Sequence, residues 1–318
     1  MTKSAEPRVD LPEPRVGGPS ASPHHPGRFI LMLGLIIMLL MWAGNYLAVK
    51  IALVHFAPVT LVAFRFEVAA AVMLAVYFAQ KGRAKLQRRH IWTIVYLGFF
   101  GVIVNQGLFT LGLNYTTSSH AAIISAIDPV LILVLARVMG IETLSFGKVI
   151  GMGLAFAGIM ALEIEHGSPA KSPLLLGDLI SLGAAVGFSI YAVLSKRITE
   201  VYDAVALNTF NCLVAAIAFL PIAVRQGVGL KWKGIGWEGW AALCYMAVFS
   251  SVLAYLIFFW ALRHLDPSRV AVVTYLQPIL VILLGTAFLS EHLTRHLLLS
   301  TGFVLLGVYL AERGARIV

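Results

Sequence analysis

Long apolar blocks separated by short polar breaks dominate the pattern of this chain. A helix needs about 20 consecutive apolar residues to cross the hydrocarbon layer of a bilayer. Ten such blocks follow one another, over residues 29–53, 58–79, 91–113, 118–138, 146–164, 174–195, 204–224, 239–262, 268–289 and 296–312. The expected class is therefore an all-α integral membrane protein with ten transmembrane helices. Ahead of them, residues 1–28 carry six prolines among Gly, Ser and Arg, which cannot bury a core and read as a disordered cytoplasmic tail. The first apolar block starts far from Met1, is as long as a full span and shows no small-residue cleavage pattern, so a cleaved signal peptide is not expected.

Composition agrees with this class. Hydrophobic residues make up 59% and charged residues 12%, against about 45–50% and about 25% in soluble domains. The net charge of +9 could suggest nucleic acid, but its distribution argues for a bilayer instead. With the N-terminus inside, the cytoplasmic segments hold 17 of the 24 Lys and Arg, and the outer segments hold 6. An excess of basic residues on the cytoplasmic side places both termini in the cytoplasm. Cys212 and Cys244 show no paired spacing that suggests a metal or redox motif and read as packing residues.

The blocks repeat. Shifting the chain by 149 residues lays 98–160 over 247–309 without a gap, pairing Pro129 with Pro278, Glu142 with Glu291, Gly153 with Gly302 and Gly158 with Gly307. Upstream the register changes by about three residues, so that WAGNYLAVK at 42–50 lies over FSIYAVLSK at 188–196. The repeat is five spans plus five, over residues 29–164 and 174–312. An odd number of spans per repeat inverts the second copy in the membrane. Inverted repeats are typical of secondary transporters, whose substrate sites lie near the midplane where the repeats meet.

One acid stands in the middle of an apolar block, in AIISAIDPVLILVL. Asp128 would cost about 2.5–3.5 kcal/mol at mid-membrane, so it must face protein or water. Pro129 has no amide hydrogen, which leaves the carbonyl of Ser125 without its helical donor, and it biases Asp128 away from ideal helical geometry, which predicts a polar kink with Ser125 on the same face. The repeat supplies a matching wall: Thr274, Gln277 and Pro278 stand where Ser125, Asp128 and Pro129 stand. Pro129 and Pro278 are candidate hinges, since bent backbone is tolerated at membrane depth where it lines a cavity. Asp128 is also the candidate coupling residue, able to exchange a proton for substrate; the alternative is a protonated acid that fixes helix packing.

Other polar and aromatic residues in the spans join the candidate substrate site. Trp42, Asn45, Tyr46, Asn105, Gln106, Tyr191, Tyr255 and Tyr275 supply ring faces and hydrogen bonds to an amphipathic solute; interhelical packing is the alternative for each. Gln106 and Tyr255 are favoured because they occupy equivalent repeat positions. Arg65 and Glu67 are two residues apart and on different faces, so each needs a partner elsewhere. Arg65 reads first as half of a structural ion pair and second as a substrate or gate contact, and Glu67 as a weaker candidate proton site. His120 is expected at the membrane edge, two turns from Asp128. Lys50 and Lys196, repeat equivalents at opposite surfaces, read as snorkelling or end-capping groups. Gly147, Gly151, Gly153, Gly158, Gly302 and Gly307 offer small surfaces for close helix packing within each repeat.

These segments resemble the EamA-like branch of the drug/metabolite transporter superfamily. The residues that carry the likeness are WAGNYLAVK, FRF at 64–66, GLNYTTSSHAAIISAIDPV and GIETLSFGKVIGMGLAFAGIMAL in the first half. In the second half they are GDLISLGAAVGFSIYAVLSKRI, AYLIFFWALRHLDPSRVAVVTYLQPILVILLG and LSEHLTRHLLLSTGFVLLGVYL. The resemblance implies a ten-helix carrier with a central cavity between two five-helix repeats, in a bacterial inner membrane, moving amino acids, metabolites or drugs. Two positions depart from the family pattern: Asp128, where an apolar or small residue is usual, and Phe188, where Trp is common.

The expectation is an exporter working by alternating access, with proton coupling through Asp128 or, as an alternative, uncoupled facilitation or exchange. Its partners are a small-molecule substrate, the lipid bilayer and protons, with no nucleic acid, cofactor or metal; oligomeric state is left open. A membrane enzyme using the intramembrane acid is the rival class, but the chain has no HExxH, paired intramembrane aspartates, Ser and His arrangement or phosphate loop. Nothing resembles a selectivity filter.

Overall fold

A computed structural model describes residues 28–139, 146–164, 173–230, 232–265, 267, 270 and 273–313, and every regular element among them is helical. The first is α1 (Arg28–Leu53), followed by α2 (Pro58–Ala79), so the helix already includes Arg28, assigned above to the tail. Residues 88–115 form one continuous rod: a 3-10 turn at Arg88–His90, α3 (Ile91–Gly98), a π-helical stretch at Phe99–Gln106 and α4 (Gly107–Tyr115). The fourth apolar block is split into α5 (Ser118–Ser125) and α6 (Asp128–Val138). Then come α7 (Phe146–Ile164), α8 (Pro173–Ile198) and α9 (Ala204–Gly229). A second rod runs over 237–264 as α10 (Trp237–Cys244), a π-helical stretch at Tyr245–Leu253 and α11 (Ala254–His264). A 3-10 turn at Val273–Leu276 leads into α12 (Gln277–Phe288), and α13 (Arg295–Arg313) ends the described chain.

Seven of these helices or rods are long and apolar enough to cross a membrane: 28–53, 58–79, 88–115, 118–135, 174–198, 204–229 and 237–264. The other three expected spans contain shorter apolar helices, Val149–Gly158, Gln277–Phe288 and Arg295–Gly307. Many large apolar side chains lie on the outside of the bundle, among them Phe29, Val54, Phe146, Val228 and Phe288. Such a surface is stable only against lipid.

The two π-helical stretches sit in repeat-equivalent rods, and neighbouring side chains occupy their widened ladders. Asn208 Nδ2 donates to the carbonyls of Ser251 (3.1 Å) and Val252 (3.3 Å), and Ser251 Oγ donates to that of Met246. In the first rod, the side-chain Nδ2 of Asn105 donates to the carbonyl of Ala184 in α8, 2.9 Å away. That bond needs close backbones. A Cβ on Gly187 would lie 3.2 Å from the Asn105 nitrogen and the Phe100 carbonyl.

Both lysines at the surfaces cap a helix that is not their own. Lys50 Nζ donates to the carbonyl of Thr116, just past α4, and Lys196 Nζ to those of Leu262 (2.8 Å) and Leu265 (3.0 Å), at the end of α11. End-capping was the favoured reading, and the charge suits the negative end of a helix.

The glycines behave differently from expectation. Gly158 does allow close approach, but against Phe303 and Val304 in α13, so the contact joins the two halves instead of lying within one; Gly153 and Gly302 face open space. The tightest backbone approach comes from Gly177, where a Cβ would lie 2.6 Å from the Thr116 nitrogen and 2.9 Å from the Tyr115 carbonyl carbon. Backbone cannot step aside as a side-chain tip can. Gly177→Ala should therefore destabilise the protein by about 1–3 kcal/mol, whereas Gly153→Ala should leave thermal unfolding in detergent unchanged.

Candidate functional site

Two broken helices meet at the centre. The break in the fourth block lies at Ala126 and Ile127, between Ser125 and Pro129, so that Asp128 is the first residue of α6 and is itself helical. Proline is tolerated there because the amide it lacks would be unpaired in the first helical turn anyway. The second break repeats this geometry. Ile127 (φ −79, ψ −12) and Leu276 (φ −77, ψ −12) have nearly the same backbone, each followed by the polar residue and its proline.

Between the breaks lies a cavity of about 60 Å³, room for a few waters at about 10–15 Å³ each. Its walls gather ten of the twelve residues expected to bind substrate: Trp42, Asn45, Tyr46, Asn105, Gln106, Ser125, Asp128, Tyr255, Thr274 and Gln277. Tyr191 is not among them. Its ring stacks on Phe258 with centroids 6.2 Å apart and touches Phe259, and Asn211 Nδ2 donates to its hydroxyl, so it packs one layer behind the wall. The side chain of Tyr275 lies outside the described residues. The wall also contains Phe109, Phe188 and Ser250. Phe188 could have been included, since it stands opposite Trp42 in the repeat; the two rings are 5.8 Å apart, edge to face.

Several polar atoms at this site are unpaired. Gln106 Nε2 donates to Asn105 Oδ1 (2.6 Å) and to the Tyr255 hydroxyl (3.1 Å), joining repeat-equivalent positions 149 residues apart. Asn45 Oδ1, Gln106 Oε1 and Asp128 Oδ1 are buried with no hydrogen-bond partner. A buried unsatisfied acceptor costs about 1–3 kcal/mol, so three in one wall mark a place built for something that brings donors.

The expected ion pair of Arg65 does not form. Its side chain is fully buried, and Nε and Nη2 donate to the hydroxyls of Ser251 (2.7 Å) and Ser250 (3.1 Å). Glu67, half-buried, points elsewhere and keeps one oxygen unpaired. His120, buried near the start of α5, has Nδ1 3.0 Å from Asp178 Oδ2. Asp178 also accepts from the hydroxyl of Thr116.

Beside that pair stands a contact the sequence reading missed. Glu291, in the turn between α12 and α13, accepts from the amides of Ser118 (2.8 Å) and Ser119 (3.1 Å) and from both of their hydroxyls. These amides open α5, where a carboxylate is also favoured by the helix dipole. The pairing of Glu291 with Glu142 in the repeat was the available signal; Glu142 lies outside the described residues.

One family model, the EamA-like transporter family, matches residues 29–163 and again residues 175–312. The chain belongs to the EamA-like transporter family. Among EamA-like and similar proteins, it is 27% identical over 267 residues to an uncharacterized transporter of Bacillus subtilis (strain 168), covering 83% of this chain and 86% of that one. It is 24% identical to an uncharacterized inner membrane transporter of Escherichia coli (strain K12), covering 88% and 90%. A crystal structure superposes with a TM-score of 0.67 at 22% identity, over 91% of this chain and 98% of the other, which shows a shared fold. The EamA-like match thus falls on both halves, and the cavity lies between them.

Burial raises the pKa of Glu291, but the hydrogen bonds from Ser118 and Ser119 outweigh it and hold the carboxyl below its ordinary 4.5. A depressed carboxyl stabilises this contact above the ordinary value and loses that contribution as pH falls through the lowered one. Thermal stability of the wild type in detergent should therefore drop below about pH 4.5. Glu291→Gln should cost about 1–3 kcal/mol at neutral pH and flatten that acid limb.

Proposed function

We propose that this EamA-like protein is a secondary carrier that exports small organic solutes, amino acids, metabolites or drugs, by alternating access. In this reading residues 29–164 and 174–312 form two five-helix repeats of inverted orientation in a bacterial inner membrane, with both termini cytoplasmic. The observation that carries it is the cavity between two matching helix breaks, lined from both halves and holding three unpaired acceptors. A polar site at the meeting of two repeats is what a carrier needs in order to expose a solute to one side at a time.

Asp128 is the coupling group in this proposal. Among the described residues no cationic side chain pairs with its carboxyl, so either a proton or a cationic group of the solute can neutralise it, and each arrival favours the departure of the other. The matching position in the second half is Gln277, which cannot hold a charge. Coupling is thereby assigned to one half of a nearly symmetric site. Pro129 and Pro278 fix where each helix breaks, and the residues around them are the hinges about which the walls move.

Counterflow in proteoliposomes, with a panel of amino acids, sugars and nucleotides, tests the carrier reading; no exchange of any of them would overturn it. Metabolite profiling of cells and medium with and without expression tests the direction, with export predicting a rise in the medium. Asp128→Asn should abolish accumulation driven by a pH gradient while solute exchange continues. Unchanged pH-driven accumulation would remove Asp128 from the coupling role.

A further inference from the structure

We propose that the cavity has a second, anion-accepting half set by Arg65 from behind the wall through Ser250, so that its solute is a zwitterion, with a cationic nitrogen near Asp128 and a carboxylate near Ser250. This rests on the carrier reading above and names the class of solute.

The first observation is a buried cation with no counter-charge. Arg65 is fully enclosed, both of its hydrogen-bond acceptors are neutral hydroxyls, and Nη1 has no partner at all. A buried charge without a counterion is costly, and the described residues supply none. An anionic group arriving in the cavity would provide it.

The second observation is the direction of the hydroxyl hydrogens. Ser250 Oγ accepts from Arg65, which leaves its own hydrogen for an acceptor elsewhere, and Ser250 lines the cavity. Ser251, by contrast, spends its hydrogen on the carbonyl of Met246. The Tyr255 hydroxyl accepts from Gln106 and likewise keeps a hydrogen to donate. One part of the wall therefore offers two O–H donors backed by a guanidinium, a pattern that suits a carboxylate.

The third observation is the opposite character of the remaining wall. Asn45, Gln106 and Asp128 present acceptors without partners, which suits an ammonium. Asp128, Tyr255 and Ser250, the last held by Arg65, line one cavity, so a single small solute can address both ends. An amine without a carboxylate would leave Arg65 uncompensated. A carboxylate without an amine would face Asp128 and leave three acceptors bare.

Binding and flux together test this. Calorimetry on purified protein should compare the common aliphatic and aromatic α-amino acids with the amines and the carboxylic acids left by removing one charged group from each. At least one amino acid should bind about ten- to a hundredfold more tightly than both of its analogues, the value of a hydrogen bond to a charged group. Ser250→Ala should erase the preference over the amine, and Ser250→Thr, which keeps the hydroxyl, should restore it. Arg65→Lys, which keeps charge but loses the two-serine geometry, should reduce the preference without abolishing expression. A merely structural role for these residues would lower stability and leave the preference intact. Equal binding of amine and amino acid, or no binding of any zwitterion at millimolar concentration, overturns the proposal. Counterflow of an amine as fast as its amino acid would sink the anion half and leave the carrier standing. Selective, Ser250-dependent binding without flux would do the reverse.

Discussion

Backbone and side-chain polar groups in lipid must be satisfied by protein, and most of the unusual geometry here follows from that one constraint. A helix can be widened or broken at membrane depth only where something else meets its freed groups. Asn208 does this for the second π-helical stretch, and Asn105 and Ala184 join the first to α8. Ser189, from α8, donates to the carbonyl of Asp128 at the start of α6. Three of the irregular stretches thus have a polar neighbour from another helix.

The same constraint sorts the polar groups into two kinds. Near the helix ends, Glu291, His120, Asp178, Lys50 and Lys196 each meet defined partners and hold those ends together. Around the cavity, four buried side chains from three different helical segments and the first π-helical stretch keep an atom unpaired. Native proteins leave few buried polar groups unsatisfied, so their concentration at one place is informative. The helix-end groups are structural clamps, and the central ones have bonding capacity in reserve.

Much of this was legible from residue order because the chain states it twice. Pairing Asp128–Pro129 with Gln277–Pro278, and Gln106 with Tyr255, located both breaks and most of the wall before any coordinates. What failed was pairing on one helix face. Sharing a face with Phe188, three residues before it, did not bring Tyr191 to the wall, because its ring is taken up by Phe258 and Phe259 one layer behind the cavity. Ser250 escaped notice because a lone serine in an apolar rod carries no pattern; only its bond to Arg65 distinguishes it. Arg65 itself was read through the habit that a buried cation takes an acid, and here hydroxyls hold it instead. Gly177 was overlooked because close backbone approach depends on which helices cross, and periodicity is silent on that.

The two lysine clamps have a consequence for assembly. Lys50 reaches a carbonyl 66 residues ahead, and Lys196 reaches one at the same separation. Each clamp thus closes inside its own half. The halves are stitched to each other by bonds of the same reach, 61 residues for Ser189 to Asp128 and 79 for Asn105 to Ala184, and by much longer ones, 149 for Gln106 to Tyr255 and 186 for Arg65 to Ser251. Because the entropy of closing a loop grows only slowly with its length, the clamps within a half gain little head start over the bonds between halves. The helix ends and the cavity are thus tied into one network.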